Sequence, residues 1–331
     1  MMIPDRKDTS LLRFMAILLI TNSHLDSLYP VPYIGTGGAI GNSLFFMLSG
    51  YGLALSGQIN DRPFLQWYWR RILRIYPSLI LVVAITDVWL RKGWQNWAWS
   101  DYLINFVWPT PAWFVSALMI FYIVFFIVMK IGRPEAYLMP IIALFIPYFY
   151  FYFTTMDLTQ YTIEGPSYFK WIFYLQVMLF GGYLASYTKK IKGSMIKDSF
   201  LLFGCIVLYY GILLFVSRGY GGQFQAVTQL LMFPIMFLFL KVSRSQFIIH
   251  NLMSTKYVGA AISQIAILTL EIYLVHGAVY SHPSLQPIRF PANLIIFWIA
   301  VISTSFVINR ATHFIPQKHS VASYKKHRLQ Q

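Results

Sequence analysis

Residues 11–24 read LLRFMAILLITNSH, an apolar run that contains one arginine, Arg13, and ends on a histidine, His24. An ionisable side chain within hydrocarbon costs roughly 3 kcal/mol even on conservative scales, so such a residue is a functional candidate. At 100° per residue the spacing makes about three turns, which predicts both side chains on one face of a helix. They would lie roughly 16 Å apart along the axis, as expected for a polar pathway through a bilayer.

The composition indicates a membrane protein. The chain has 331 residues, of which 57% are hydrophobic and 11% charged, whereas soluble domains average about 25% charged residues. Runs long enough to cross about 30 Å of hydrocarbon occur about ten times along the chain. We therefore expect an all-α, polytopic membrane protein with about ten spans, forming one domain over 1–331 with no soluble extracytoplasmic domain. The predicted spans are 10–27, 38–57, 75–91, 112–131, 136–154, 171–187, 199–217, 226–242, 260–281 and 291–310.

The placement of lysine and arginine predicts the orientation. With the amino terminus in the cytoplasm, twenty of the 26 basic residues fall on cytoplasmic segments and five on the opposite side. Cytoplasmic loops carry this excess in membrane proteins, so both termini are expected in the cytoplasm. Topology thereby accounts for the net charge of +15, and we expect lipid rather than nucleic acid around the chain.

Segment 58–77, QINDRPFLQWYWRRILRIYP, joins the second and third spans. Its apolar and basic faces predict a short helix lying in the cytoplasmic interface. Arg71 and Arg74, with Arg70 beside them, are neighbours on such a helix, and converging guanidiniums bind phosphates well. The alternative is an anchor for anionic lipid headgroups.

Segment 44–52, LFFMLSGYG, contains Ser49, Gly50 and Gly52 near the inner end of the second span. Glycine lacks a side chain, so a ligand or another backbone can approach this turn closely. Tight helix packing explains the same residues equally well.

The remaining candidates lie towards the outer side and in a late span. Trp94, Trp97 and Trp99 form either an interfacial belt or a platform for sugar rings. Glu271, in ILTLEIYLVHG, is the only carboxylate near the middle of a span; it is expected to pair with Arg13, to orient His24, or to form an ion pair elsewhere. His276 follows about 140° further around the helix, so it need not face the same site.

Together these segments resemble the acyltransferase 3 family of membrane acyltransferases. The resemblance rests on short motifs in the same order and covers the full chain: Arg13 and His24; Phe45-Phe46 before Ser49, Gly50 and Gly52; Arg71 and Arg74 before Pro77; Trp113-Phe114; and Tyr273-Leu274-Val275-His276. Two positions depart from the usual pattern. Phe14 stands where glycine is common after the first arginine, and Asp8 lies five residues before Arg13 rather than three.

The resemblance implies an enzyme of the bacterial inner membrane that moves an acyl group, commonly acetyl from acetyl-coenzyme A, to a hydroxyl of a glycan beyond the membrane. It implies a stand-alone form and no metal. Ser49, Gly50, Gly52, Arg70, Arg71 and Arg74 would bind the coenzyme, and Trp113 and His276 the acceptor.

For the chemistry, Arg13 is expected to hold a phosphate or polarise the thioester carbonyl. His24 is expected either to take the proton of the attacking hydroxyl or to carry the acyl group covalently. Glu271 completes the catalytic set. The competing function is a proton-coupled transporter or flippase for a sugar or lipid-linked glycan, because intramembrane charges and broken helices are common there too.

Overall fold

The computed structural model describes residues 7–56, 63–165 and 168–313. These residues form helices and no strand, so the all-α prediction is confirmed. The α-helices are α1 Lys7–Asn22, α2 Gly38–Leu55, α3 Phe64–Val83, α4 Trp99–Phe106, α5 Trp113–Ile131, α6 Glu135–Thr155, α7 Phe169–Ser186, α8 Met195–Ser217, α9 Gln225–Leu230, α10 Met232–Ser243, α11 Val258–Ile267, α12 Thr269–Tyr280 and α13 Ala292–His313.

Seven helical segments in the described part of the chain are long and apolar enough to cross a membrane. They are Pro32–Leu55, Phe64–Leu90, Trp113–Ile131, Glu135–Thr155, Met195–Ser217, Gly222–Ser243 and Ala292–Thr312. The bent pair α11 and α12 makes eight if it counts as one span. The predicted number of ten is therefore not confirmed. The predicted spans 10–27 and 171–187 correspond to α1 and α7, which do not meet the same criterion; the apolar part of α1, Thr9–Asn22, is shorter.

The first two helices form an antiparallel pair that sets the frame for the site. A side-chain carbon at Gly41, near the start of α2, would lie 2.8 Å from the carbonyl oxygen of Ala16 and from Ile20. At the other end of α2, Gly52 faces Arg13. We call the end where α1 begins and α2 ends the basic end, and the end where α1 ends and α2 begins the far end.

Close backbone contact joins α2 to α7. A side-chain carbon at Gly50 would lie 1.9 Å from the carbonyl oxygen of Met178, and one at Gly181 would lie 2.0 Å from that of Met47. These are overlaps with backbone atoms, which cannot move aside as a flexible side chain would. Glycine on both helices therefore permits this crossing, as small residues do at helix interfaces in membranes.

Gly50→Ala should destabilise the protein by about 1–3 kcal/mol, because the added methyl group overpacks the contact with Met178. The control is Gly204→Ala on α8, where a side-chain carbon would meet no other described residue within 4 Å. A thermal unfolding scan in detergent should show a lower melting temperature for the first variant only. Equal melting temperatures for the two variants would show that the crossing can relax.

The third helix differs from the sequence expectation. The predicted interfacial helix is not separate: residues 64–77 are the first part of α3, which continues to Val83 with Pro77 inside it. A π-helix, Ala84–Leu90, extends the same segment. Proline is tolerated in membrane helices when neighbours satisfy the carbonyl group it frees. Residues 58–62 of that prediction lie outside the described part.

A sharp break divides the span before the last. α11 and α12 meet at an angle of 76°, and Leu268 is the single residue between them. Glu271 falls in the first turn of α12. The break therefore places the carboxylate at the start of a short half-helix rather than in the middle of a continuous one.

Some of the basic residues on which the predicted membrane orientation rests lie outside the described part of the chain. Arg6, Arg62, Lys318, Lys325, Lys326 and Arg328 lie outside it. Among the three tryptophans of segment 92–99, Trp94 and Trp99 are exposed, whereas Trp97 packs edge-on against Tyr102 with ring centroids 5.3 Å apart.

Candidate active site

His24 stands at the far end, just past the last residue of α1. The helix ends at Asn22, so the expected helical alignment of His24 with Arg13 does not extend to the histidine. Asn22 fixes this turn: its Nδ2 donates to the carbonyl oxygens of Ile34 at 2.8 Å and Thr36 at 2.9 Å, and its Oδ1 accepts from the Tyr29 hydroxyl at 2.6 Å. The His24 side chain is exposed on this anchored turn.

The imidazole of His24 lies beside that of His276 on α12. The two ring centroids are 5.1 Å apart and the planes are inclined at 44°. Nδ1 of His276 lies 2.7 Å from the carbonyl oxygen of Tyr273 and 3.2 Å from that of Ile272. Nδ1 must donate in these contacts, which leaves Nε2 of a neutral His276 as an acceptor. The structure therefore pairs two histidines that the sequence placed in separate roles.

Arg13 reaches towards the glycine turn of α2. A side-chain carbon at Gly52 would lie 4.0 Å from Nη2 of Arg13, the nearest atom that the described part of the chain offers from outside α2. Gly52 thus leaves room beside the guanidinium, whereas Gly50 is occupied by the backbone of α7. Ser49 donates to the carbonyl oxygen of Phe45 at 2.9 Å. Gly52 therefore fits the first interpretation of this motif, close approach of a ligand, and Gly50 fits the second, tight helix packing.

Arg244, at the end of α10, is a residue that sequence reasoning did not select for the site. Its Nη2 donates to the hydroxyl of Tyr51, and its guanidinium lies 5.7 Å from the centre of that ring. The contact places a second guanidinium beside the glycine turn. The only sequence signal was its place among the basic residues near a span end.

The arginines of α3 lie on the stretch of that helix that is close to α5. The guanidinium of Arg71 is half-buried and lies 5.3 Å from the ring of Trp67. Arg71 and Arg74 both lie near Tyr122 on α5. Arg70 and Arg74 are exposed on the surface of the helix bundle.

Glu271 is buried and has a hydrogen-bond partner on α3. The hydroxyl of Ser78 donates to Oε1 at 2.9 Å, while Oε2 is buried without a hydrogen bond among the described residues. α12 begins two residues earlier, and the amino-terminal end of a helix stabilises a carboxylate. Sequence reasoning had no signal for Ser78 as the partner.

Trp113 belongs to a continuous row of rings that leads to the histidine pair. Phe114 stands between Trp113, at 6.2 Å, and Tyr273, at 5.3 Å. The ring of Tyr273 lies 5.8 Å from that of His276. The sequence-predicted acceptor residues Trp113 and His276 are thus linked through this row, on the side of the bundle where His24 lies.

The family model for an acyltransferase domain, Acyl_transf_3, matches residues 7–310, nearly the whole chain. The chain belongs to the acyltransferase 3 family. The suspected resemblance is thereby confirmed, and the apolar helices agree with an integral membrane acyltransferase. No curated protein and no solved structure matches the chain. The individual roles of the site residues in this acyltransferase 3 protein stay predictions.

Proposed function

We propose that the protein transfers an acetyl group from cytoplasmic acetyl-coenzyme A to a hydroxyl of a glycan on the opposite side of the membrane. One observation carries the proposal: the antiparallel pair α1 and α2 brings Arg13 to Gly52 at its basic end, while His24 meets His276 at its far end. A cationic site and a titratable site therefore occupy opposite ends of one pair of helices.

The basic end suits the coenzyme. Phosphates are bound strongly by guanidiniums, through charge-assisted and often bidentate hydrogen bonds. Arg71 and Arg74 present such groups from α3, and Arg244 adds one beside Tyr51. The space at Gly52 next to Arg13 is where we place the entry of the pantetheine arm of the donor, so that its thioester end points along the helix pair towards the histidines.

The far end suits the proton transfer. A neutral imidazole can take the proton from a sugar hydroxyl as its oxygen attacks the acyl carbon. In this step a new ester bond forms, the thioester bond breaks, and the thiolate of coenzyme A takes up the proton. If His24 carries the acyl group instead, the thioester bond breaks in a first step as the acyl group moves to the imidazole. The ester bond forms in a second step, when the sugar hydroxyl attacks the acylated imidazole.

The membrane position follows from the same proposal. The basic end faces the cytoplasm of a bacterial inner membrane, and the far end faces the glycan. The bend between α11 and α12 is also a feature of carriers, but the family match supports an acyltransferase rather than a transporter.

The test is mass spectrometry of surface glycans from cells with and without the protein. The expected result is one or more glycans that lose an acetyl mass when the protein is absent and regain it on complementation. The purified protein should also transfer radiolabel from acetyl-coenzyme A to such a glycan. Unchanged glycans together with sugar uptake or lipid flipping in proteoliposomes would favour the transporter instead.

A further inference from the structure

A cleft lies between the end of α6 and the start of α7, outside the residues discussed above; its lining is mostly apolar and includes several polar side chains. Its volume is about 510 Å³, and Asp157, Tyr161, Thr162 and Glu164 are among the residues that line it. This volume falls within the range of about 300–1,000 Å³ that is typical of small-molecule sites. Neither the family motifs nor the proposed reaction uses these residues.

The cleft is held in shape by Gln225, which is completely buried. Its Oε1 accepts from the backbone N–H groups of Thr162 at 2.9 Å and Ile163 at 3.0 Å. Its Nε2 donates to the carbonyl oxygen of Asp157 at 2.8 Å. The Gln225 side chain therefore holds the two ends of the segment 157–163 in place, so the cleft is preformed.

Glu164 is the polar centre of the cleft. Its Oε2 accepts from the hydroxyl of Tyr174 at 3.1 Å, and its Oε1 accepts from the amide of Gln229 at 3.3 Å. A carboxylate has about four acceptor positions, and these two donors occupy two of them within the described part of the chain. Burial raises the pKa of Glu164, and the hydrogen bonds from Gln229 and Tyr174 oppose that shift. Further hydroxyl donors would also stabilise the ionised form.

The same cleft is connected to the predicted acceptor residue Trp113. Lys170, at the start of α7, places its ammonium 4.4 Å from the centre of the Trp113 ring, and its charge also acts on Glu164. Tyr174, the donor to Glu164, lies 5.6 Å from the same ring. Trp113 in turn begins the row of rings that leads to His276 and His24.

We propose that this cleft binds an uncharged sugar unit of the acceptor, with Glu164 accepting hydrogen bonds from its hydroxyl groups. The proposal rests on the proposed function, because it assigns a subsite for the same acceptor. Fixed acceptor atoms and an aromatic ring, Tyr161, in one cleft match the hydroxyl-rich edges and apolar faces of a carbohydrate. Since Trp113 and Phe114 stand between the cleft and the histidines, the unit bound here is remote from the hydroxyl that is acylated. Glu164 is thus a residue that positions the acceptor.

The experiment uses the full-length protein in detergent. The probe is the surface polysaccharide of the cells that carry the protein, deacetylated with mild alkali. Binding is measured without coenzyme for the wild type, for Glu164→Gln, and for Glu135→Gln as the control, because Glu135 is exposed at the start of α6. Glutamine keeps the size of the side chain and can still accept from Tyr174. Acetyl-coenzyme A binding is measured for each variant in parallel.

The expected result is a loss of polysaccharide affinity of about tenfold in Glu164→Gln, with acetyl-coenzyme A affinity unchanged and Glu135→Gln like the wild type. In turnover the KM for polysaccharide should rise while kcat stays within about twofold. Equal polysaccharide binding by the wild type and Glu164→Gln overturns the assignment, as does a folded wild type that binds acetyl-coenzyme A but not the polysaccharide. If polysaccharide binds as expected but is never acetylated, the proposed function fails and the carbohydrate site stands.

Discussion

His24→Ala should abolish acyl transfer and leave the protein inserted and folded. A positioned general base contributes about 10²–10⁴-fold to a rate, so activity should fall by at least about a hundredfold. The exposed side chain makes its ring contact with His276, and surface substitutions usually change stability by no more than about 0.5 kcal/mol. The measurement is radiolabelled acetyl transfer per mole of purified, monodisperse protein.

His282→Ala is the matched control, because His282 is an exposed histidine in the loop between α12 and α13. It should transfer acetyl like the wild type. Wild-type activity in His24→Ala would remove His24 from the mechanism. A second measurement distinguishes a general base from a covalent acyl carrier. If His24 carries the acyl group, intact-protein mass spectrometry of the wild type with donor alone should show one added acetyl mass, which His24→Ala lacks.

The double variant Arg71→Ala/Arg74→Ala should bind acetyl-coenzyme A at least about tenfold more weakly. A hydrogen bond to a charged group contributes about 1.5–3 kcal/mol, and 1.4 kcal/mol corresponds to a factor of ten in Kd. The acceptor affinity should stay unchanged, because these arginines lie on α3 beside α5 rather than near the histidine pair. Titration calorimetry with acetyl-coenzyme A measures the effect.

Arg133→Ala serves as the control for the loss of positive charge. Arg133 is exposed between α5 and α6, so its removal should change Kd little. A double variant that binds the coenzyme as tightly as the wild type would return Arg71 and Arg74 to the role of lipid anchors.

The sequence predicts much of this fold because the dominant signal, long apolar segments, is local. It also selects Arg13 and Gly52 as candidate site residues, and the structure places these two residues opposite each other across an antiparallel helix pair. The length of α3 was harder to predict from the sequence. Pro77 reads as a helix boundary in a single sequence, yet the structure continues through it, because tertiary packing overrides local preference.

The contacts between distant segments were not predictable. Nothing in the local pattern pairs Ser78 with Glu271, or Arg244 with Tyr51, across more than 190 residues. Asn22 shows the same limit: a polar residue at the end of an apolar run gave no sign that it anchors the turn before His24. Such side-chain partners depend on how helices are arranged, which the pattern along one helix does not contain.

The short helix α12 carries two groups that meet different neighbours. Its carboxylate at Glu271 binds Ser78 of α3, and its imidazole at His276 touches the ring of His24 after α1. A bend of 76° separates it from α11, so both groups are presented by one helix of 12 residues. The position of the His276 imidazole beside His24 therefore depends on how the same short helix packs against α3.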